Sequence, residues 1–160
     1  MKDDRFAYLS LLMDVATRYI VGHQLHHDLS RRGTLEALRK SLKLYKPLQA
    51  VLQQPLIHHT DRGSQYCCYE YQEELKKNGV NVSMTESGDP RDNGKAERLN
   101  GTLKNEFLDD VLFDNIEEAR KAVNLAVKIY NTERPHQNLG YQTPECVFQQ
   151  QIKNITNRNV

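Results

Sequence analysis

Two apolar stretches near the start of the chain, "RFAYLSLLMD" and "YIVGHQLHH", are separated by little more than "ATR". A link that short cannot carry a crossover between parallel strands. The pair is therefore predicted to be an antiparallel hairpin, its first strand at about residues 6–13. Everything that follows must be added to that hairpin. "GTLEALRKSLKLYKP" sets Leu35, Leu38, Leu42 and Tyr45 at helical spacing, and Pro47 follows the helix. "QAVLQQPLIHH" supplies a third strand near residues 56–59. "YCCYEYQEELKKNG" reads as one helix with a basic last turn and a glycine stop at Gly79. "VNVSMT" is a short strand and "ESGDPRDNG" a turn-rich loop. Two amphipathic helices come next. In "KAERLNGTLKNEFL", Ala96, Leu99, Leu103 and Phe107 share one face; in "NIEEARKAVNLAVKIYNTE", Ile116, Ala119, Val123, Ala126 and Tyr130 point inward. A hairpin followed by alternating strands and helices predicts an α/β sandwich built on a mixed sheet, with a polar, fraying tail after Phe148.

Composition narrows what this fold is used for. A chain of 160 residues suits one domain, and 38% hydrophobic residues suffice for a core. The net charge of +1 gives no overall pull towards a polyanion, so nucleic-acid binding would have to come from local clusters. Cys67, Cys68 and Cys146 have neither metal-type nor disulfide-type spacing and read as reduced thiols of a cytosolic protein. The start "MKDDRFAYLS" lacks the order of a signal peptide, and no apolar run approaches the ~20 residues of a membrane span.

One residue is out of character with its surroundings. Asp61, in "PLIHHTDRGSQY", directly follows the third strand, where sites of α/β sheets gather. A carboxylate able to pair with it is Glu97, one turn into the helix after the turn-rich loop. The 35 residues between hold a helix, a strand and a loop, enough to return the chain to the strand end. Two carboxylates brought together there would repel unless a cation lay between, and hard oxygen donors suit Mg²⁺ or Mn²⁺. Gly101 and Lys104 lie four and seven residues beyond Glu97, on its face and opposite Leu99 and Leu103. Arg91, Asn93, Lys95 and Arg98 crowd the helix start, a local basic cluster of the kind that binds a polyanion.

Plainer readings stand beside these. An Asp in "TDRG" also suits a turn or cap, a helical Glu is commonly just solvated, and Lys104 alone would be a surface lysine. His58 and His59 would point to opposite faces of a strand, which argues against a joint zinc site. His23, His26 and His27 read as edge or loop histidines. Asp89 and Asp92 resemble a calcium loop only loosely, and Asp92 suits a helix N-cap.

Taken in order, "HTDRGSQY", "DNGKAERLNGTLKNE" and "YNTERPHQNLGYQTPECVF", with "YLSLLMDVATRYIVG" ahead of them, are similar to the catalytic core of insertion-sequence transposases of the IS-three group, within the retroviral integrase superfamily. The resemblance runs from about Phe6 to Phe148. It implies a ribonuclease H-like mixed sheet flanked by helices, an integrase-type core over residues 1–148 and a polar tail over 149–160. It also implies that Asp61 and Glu97 are the second and third carboxylates of an Asp-Asp-Glu triad holding two Mg²⁺ or Mn²⁺ ions. The implied chemistry is cleavage and strand transfer of DNA phosphodiesters, water attacking first and a freed 3′-hydroxyl second. Asn93, Lys95, Arg98, Gly101 and Lys104 would contact DNA. The implied partners are DNA ends, target DNA and further copies of the chain, in a bacterial cytoplasm at the nucleoid, with no membrane.

The resemblance departs at one point. The family's first Asp lies on a first strand that precedes the segment matching "FAYLSLLMD", and no counterpart precedes "MKDDRF". Asp3, Asp4 and Asp14 are poor substitutes. A sheet without its central strand leaves backbone groups unpaired, so an altered sheet or an oligomer is expected. Two other readings follow: an inactive fragment that binds DNA or self-associates, and a ribonuclease H-type nuclease, against which "YNTERPHQNLG" argues. That segment leaves Arg134 and His136 either to touch DNA or, the favoured role, to hold the C-terminal helix.

Overall fold

The computed structural model describes residues 6–52, 54–85, 94–109 and 111–157. Strands β1 (Tyr8–Met13) and β2 (Ile20–His26) form the expected antiparallel hairpin, in register from Tyr8 opposite His26 to Leu12 opposite Gly22. The register then slips, so that Met13 faces Ile20. Asp14 organises the turn. Its Oδ1 accepts from the backbone N–H and the hydroxyl of Thr17, both at 2.8 Å, and its Oδ2 accepts from the Tyr45 hydroxyl at 2.7 Å. Arg18 completes the reversal at φ 63°, a left-handed conformation that such a tight return requires.

Helix α1 (Arg31–Tyr45) lies on β2 and buries Ala37, Leu38, Ser41 and Leu42. The approach is close enough that a Cβ on Gly22 would sit 2.3 Å from the Ala37 carbonyl oxygen, so only glycine fits there. Strands β3 (Ile57–Thr60) and β4 (Asn81–Met84) pair in parallel, from Ile57 opposite Asn81 to Thr60 opposite Met84. Among the described residues the strands form two separate ribbons, β1–β2 and β3–β4.

The crossover from β3 to β4 corrects the expected single helix. It is two, α2 (Ser64–Cys67) and α3 (Tyr69–Lys77), broken at Cys68, whose backbone is extended at φ −69°, ψ 149°. The break re-aims the chain so that Tyr71 and Leu75, both fully buried, enter the core, and Gln72 donates from its side chain back to the Tyr66 carbonyl at 2.7 Å. No glycine or proline marks this break; tertiary burial decides it.

Helices α4 (Gly94–Phe107) and α5 (Ile116–Thr132) use the predicted faces. Leu99 and Leu103 pack with Ala119, Val123, Ala126 and Tyr130, and with β1 and β2 through Leu9, Leu11 and Ile20. A second cluster joins α1 and α3 through Leu38, Leu42, Tyr71 and Leu75, with Leu12 of β1 and Leu56 at its edge. The fraying tail is also corrected. Helix α6 (Pro144–Asn157) runs through Phe148 without a break. Phe148 stacks on Tyr19 with ring centres 4.5 Å apart and planes 7° apart, and meets Tyr45 edge-on. Burial of an aromatic of this size is worth about 2 kcal/mol, enough to dock a short helix.

Candidate active site

Asp61 leaves the end of β3 half-buried, at the shared C-terminal edge of the parallel ribbon. There the Thr85 N–H donates to the Thr60 carbonyl at 3.1 Å, and Arg62 donates through Nε to the Thr85 carbonyl at 3.0 Å. The Asp61 carboxylate is held by its own turn: Oδ1 accepts from the Gly63 N–H at 2.9 Å. A Cβ on Gly63 would lie 2.9 Å from that oxygen and 2.8 Å from the Gln65 amide nitrogen, so glycine keeps the carboxylate in place. Tyr66, mostly buried, has its hydroxyl pushed up by burial and by the negative charge of Asp61, and stays neutral beside it. Gly63 and Tyr66 were not singled out from sequence. The Asp-x-Gly spacing of "DRG" was the available signal for Gly63, and none was available for Tyr66.

His58 and His59 do diverge, as strand geometry requires. His58 Nε2 lies 3.1 Å from the Tyr71 hydroxyl, inward, and His59 Nδ1 lies 3.0 Å from the Ser83 hydroxyl. Burial pushes the His58 imidazole down to about 4, so it is neutral at ordinary pH.

Glu97 is exposed in the first turn of α4. Lys95, Arg98 and Lys104 are exposed on the same helix, Gly101 is half-buried, and Leu99 and Leu103 are buried opposite. A Cβ on Gly101 would meet nothing within 4 Å, so this face is open among the described residues. Asn93, Arg91, Asp89 and Asp92, and also Asp3 and Asp4, lie outside the described residues. Asp14 accepts hydrogen bonds from Thr17 and Tyr45 in the hairpin turn.

The "YNTERPHQNLG" segment makes tertiary contacts to β2 and α4, and His136 pairs its backbone with Gln142 just ahead of α6. Asn131, buried, brackets the Ile20 backbone at the register slip: its Oδ1 accepts from Ile20 N–H at 2.9 Å and its Nδ2 donates to the Ile20 carbonyl at 3.1 Å. Arg134 forks onto Glu106 near the end of α4, with Nε and Nη2 each 2.6 Å from a carboxylate oxygen. His136 meets the Tyr130 ring edge-on, and burial and the Arg134 charge push its imidazole below the usual value. The helix so clamped by Arg134 is the one that carries Glu97.

Comparison with known proteins identifies the family. Residues 1–90 match the Integrase core domain family, and residues 78–144 match a second family of the same description. The chain belongs to the integrase core domain family. This integrase core is 37% identical over 138 residues to the insertion element IS600 uncharacterized 31 kDa protein of Shigella sonnei, a match covering 86% of this chain and 49% of that protein. It is 33% identical to the transposase for insertion sequence element IS904 of Lactococcus lactis, covering 86% and 53%. The chain thus spans about half the length of these relatives. Among solved structures it is similar to the HTLV-2 integrase catalytic core domain in complex with magnesium (TM-score 0.61, 21% identity, covering 88% and 89%). It is also similar to the catalytic core domain of BIV integrase (TM-score 0.63, 18% identity, covering 92% and 89%). The integrase core therefore has the ribonuclease H-like fold, cut here into two ribbons. No described helix is long and apolar enough to cross a membrane.

Proposed function

We propose that this integrase core serves metal-dependent cleavage and strand transfer of DNA, with Asp61 and Glu97 as two of the carboxylates that hold the metal. The observation that carries the reading is the strand-end position of Asp61, fixed by Gly63, in a chain whose family membership rests on matches across residues 1–144. The nine residues 85–93 join the end of β4, beside Asp61, to the helix of Glu97. A link of that length spans at most roughly 35 Å, which allows Glu97 to reach that edge.

The donors fit Mg²⁺ or Mn²⁺: both are carboxylates, and Asp61 uses one oxygen for a single backbone N–H while an ionised carboxylate offers about four lone-pair sites. When bound, such an ion activates the attacking oxygen and stabilises the leaving one. The chain's own residues do the rest. Gly63 and the Asp61 turn set the angle of one carboxylate, and Arg134 through Glu106 fixes the end of the helix that presents the other. Lys95, Arg98, Gly101 and Lys104 line the face on which a phosphate backbone would lie, and Asn93, outside the described residues, is proposed as a further DNA contact. We take residues 1–148 as the core, with α6 docked on it through Phe148 and continuing beyond it to Asn157.

Self-association belongs to the same proposal. Phe6, just before β1, and Ile57, at the start of β3, are 78% and 69% exposed, large apolar side chains next to the two ribbons. A trimeric and a dimeric form are known for the HTLV-2 integrase core.

The test is Mg²⁺- or Mn²⁺-dependent nicking of a duplex carrying the element's end, compared between the unmutated chain and Glu97→Gln. Nicking that requires metal and vanishes in Glu97→Gln is the expected result. A chain that binds the duplex but never nicks it would instead establish the second reading, an inactive DNA-binding core. The engagement of Asp14 with Thr17 and Tyr45 in the hairpin turn supports that reading.

A further inference from the structure

We propose that His26, His27 and Asp28 form a binding site for one divalent cation of the zinc class, separate from the Asp61 and Glu97 carboxylates. In a continuing strand, His26 and His27 would point to opposite faces. β2 ends at His26, however, and the chain bends through residues 27–30. The bend turns the two imidazoles onto one side, where they stack with ring centres 4.4 Å apart and planes 27° apart. The Asp28 carboxylate reaches both. Its Oδ1 lies 2.8 Å from His26 Nδ1 and its Oδ2 lies 3.4 Å from His27 Nε2.

The arrangement is braced from behind. His26 is 13% exposed and lies against Gly33 of α1, where a Cβ would come 3.1 Å from the His26 Cβ. The Ser30 N–H donates to Asp28 Oδ1 at 2.9 Å. The neighbouring cations are engaged elsewhere: Lys40 donates to the His23 carbonyl and Gln24, and Arg31 pairs with Glu70. Among the described residues this is the one group of three or more His, Cys, Asp or Glu side chains gathered closely enough for a shared ion, one donor atom from each lying within 4.8 Å of the others.

The donor chemistry selects the ion. Two imidazoles and one carboxylate suit Zn²⁺, Co²⁺ or Ni²⁺, whereas Mg²⁺ takes oxygen donors and keeps its waters. Zinc at ~2.1 Å from each ligand needs donors no more than about 4.2 Å apart. Binding one ion would require His27, which is 68% exposed, to leave its stack on His26 so that both ring nitrogens aim at the same point. Three protein ligands leave a fourth position for water or an outside group. The ion would tie the end of β2 to the loop that starts α1, because Asp28 already bonds Ser30 there.

Calorimetric titration of untagged full-length chain with ZnCl₂, followed by Co²⁺ absorption, tests this. The expected result is saturable one-to-one binding that raises the thermal midpoint, gives a Co²⁺ ligand-field band, and is weakened more than about tenfold by His27→Ala or Asp28→Asn. His59→Ala, Asp61→Asn and the double change Cys67→Ser with Cys68→Ser should leave the affinity unaltered. No saturable binding by the unmutated chain overturns the site. So does binding that survives His27→Ala and Asp28→Asn, or that is lost in the cysteine variant. Because His27 is exposed, its replacement leaves the fold intact, which circular dichroism verifies.

Discussion

Asn131 and Asp61 are both polar side chains set close to the end of a regular element, but they are used in opposite ways. Asn131 is buried, and its amide spends a donor and an acceptor on the backbone of a residue 111 positions away in sequence. Asp61 is half-buried, and its described hydrogen bond reaches only two residues along its own turn. Around Asn131 the same pattern repeats: Arg134 forks onto α4, and Phe148 wedges between Tyr19 and Tyr45. Around Asp61 the contacts are local, and what is fixed is direction, through Gly63. The lesson is that a polar group committed to tertiary structure has its capacity filled by the chain, while one available to a ligand has only its orientation set.

The contrast can be broken or sharpened by measurement. Asn131→Ala removes both partners of the Ile20 peptide groups in a buried setting and should cost about 3 kcal/mol, read as a lower urea midpoint with an unchanged slope. A loss below ~1 kcal/mol would mean the clamp is decorative. The next effect is one of pH and belongs to β3. His58 has a folded-state value of about 4, below its ordinary 6.5, so the unfolded chain binds the extra proton first. Stability is then full above pH 6.5 and falls as pH drops towards 4, by on the order of 2 kcal/mol after allowing for partial solvent access. The loss should be largely absent in His58→Gln. His136, also pushed down, acts in the same direction. The smallest effect is expected for Asp61→Asn. An asparagine still accepts from the Gly63 N–H, so stability should change by no more than about 0.5 kcal/mol. Destabilisation as large as that of Asn131→Ala would place Asp61 among the structural residues and end its candidacy as a ligand.

Much of this was legible in the sequence because it rests on periodicity. The hairpin followed from a connection too short for a crossover, and the buried faces of α4 and α5 followed from apolar spacing, with Leu99 and Leu103 buried where the pattern put them. Asp61 stood out because a carboxylate after an apolar strand is unusual. What periodicity could not supply was tertiary commitment. Nothing local distinguishes Asn131 from a solvated asparagine, and nothing in "YCCYEY" marks the break at Cys68, which exists because Tyr71 and Leu75 must enter a core assembled from elsewhere. The tail looked frayed because its polar content was counted without Phe148, whose partners Tyr19 and Tyr45 lie more than a hundred positions earlier. His26 and His27 read as edge or loop histidines, and nothing local in "HH" shows the bend that stacks their rings.

The ring pair formed by Tyr19 and Phe148 has a practical consequence. The chain contains no tryptophan, so its near-ultraviolet signal comes chiefly from eight tyrosines. Tyr19 lies almost flat on a ring belonging to the last helix, and Tyr45 is pinned by Asp14 while touching the same ring. Detachment of that helix would free both chromophores at once, which gives the molecule a built-in optical gauge of whether its final segment is seated, readable without any label.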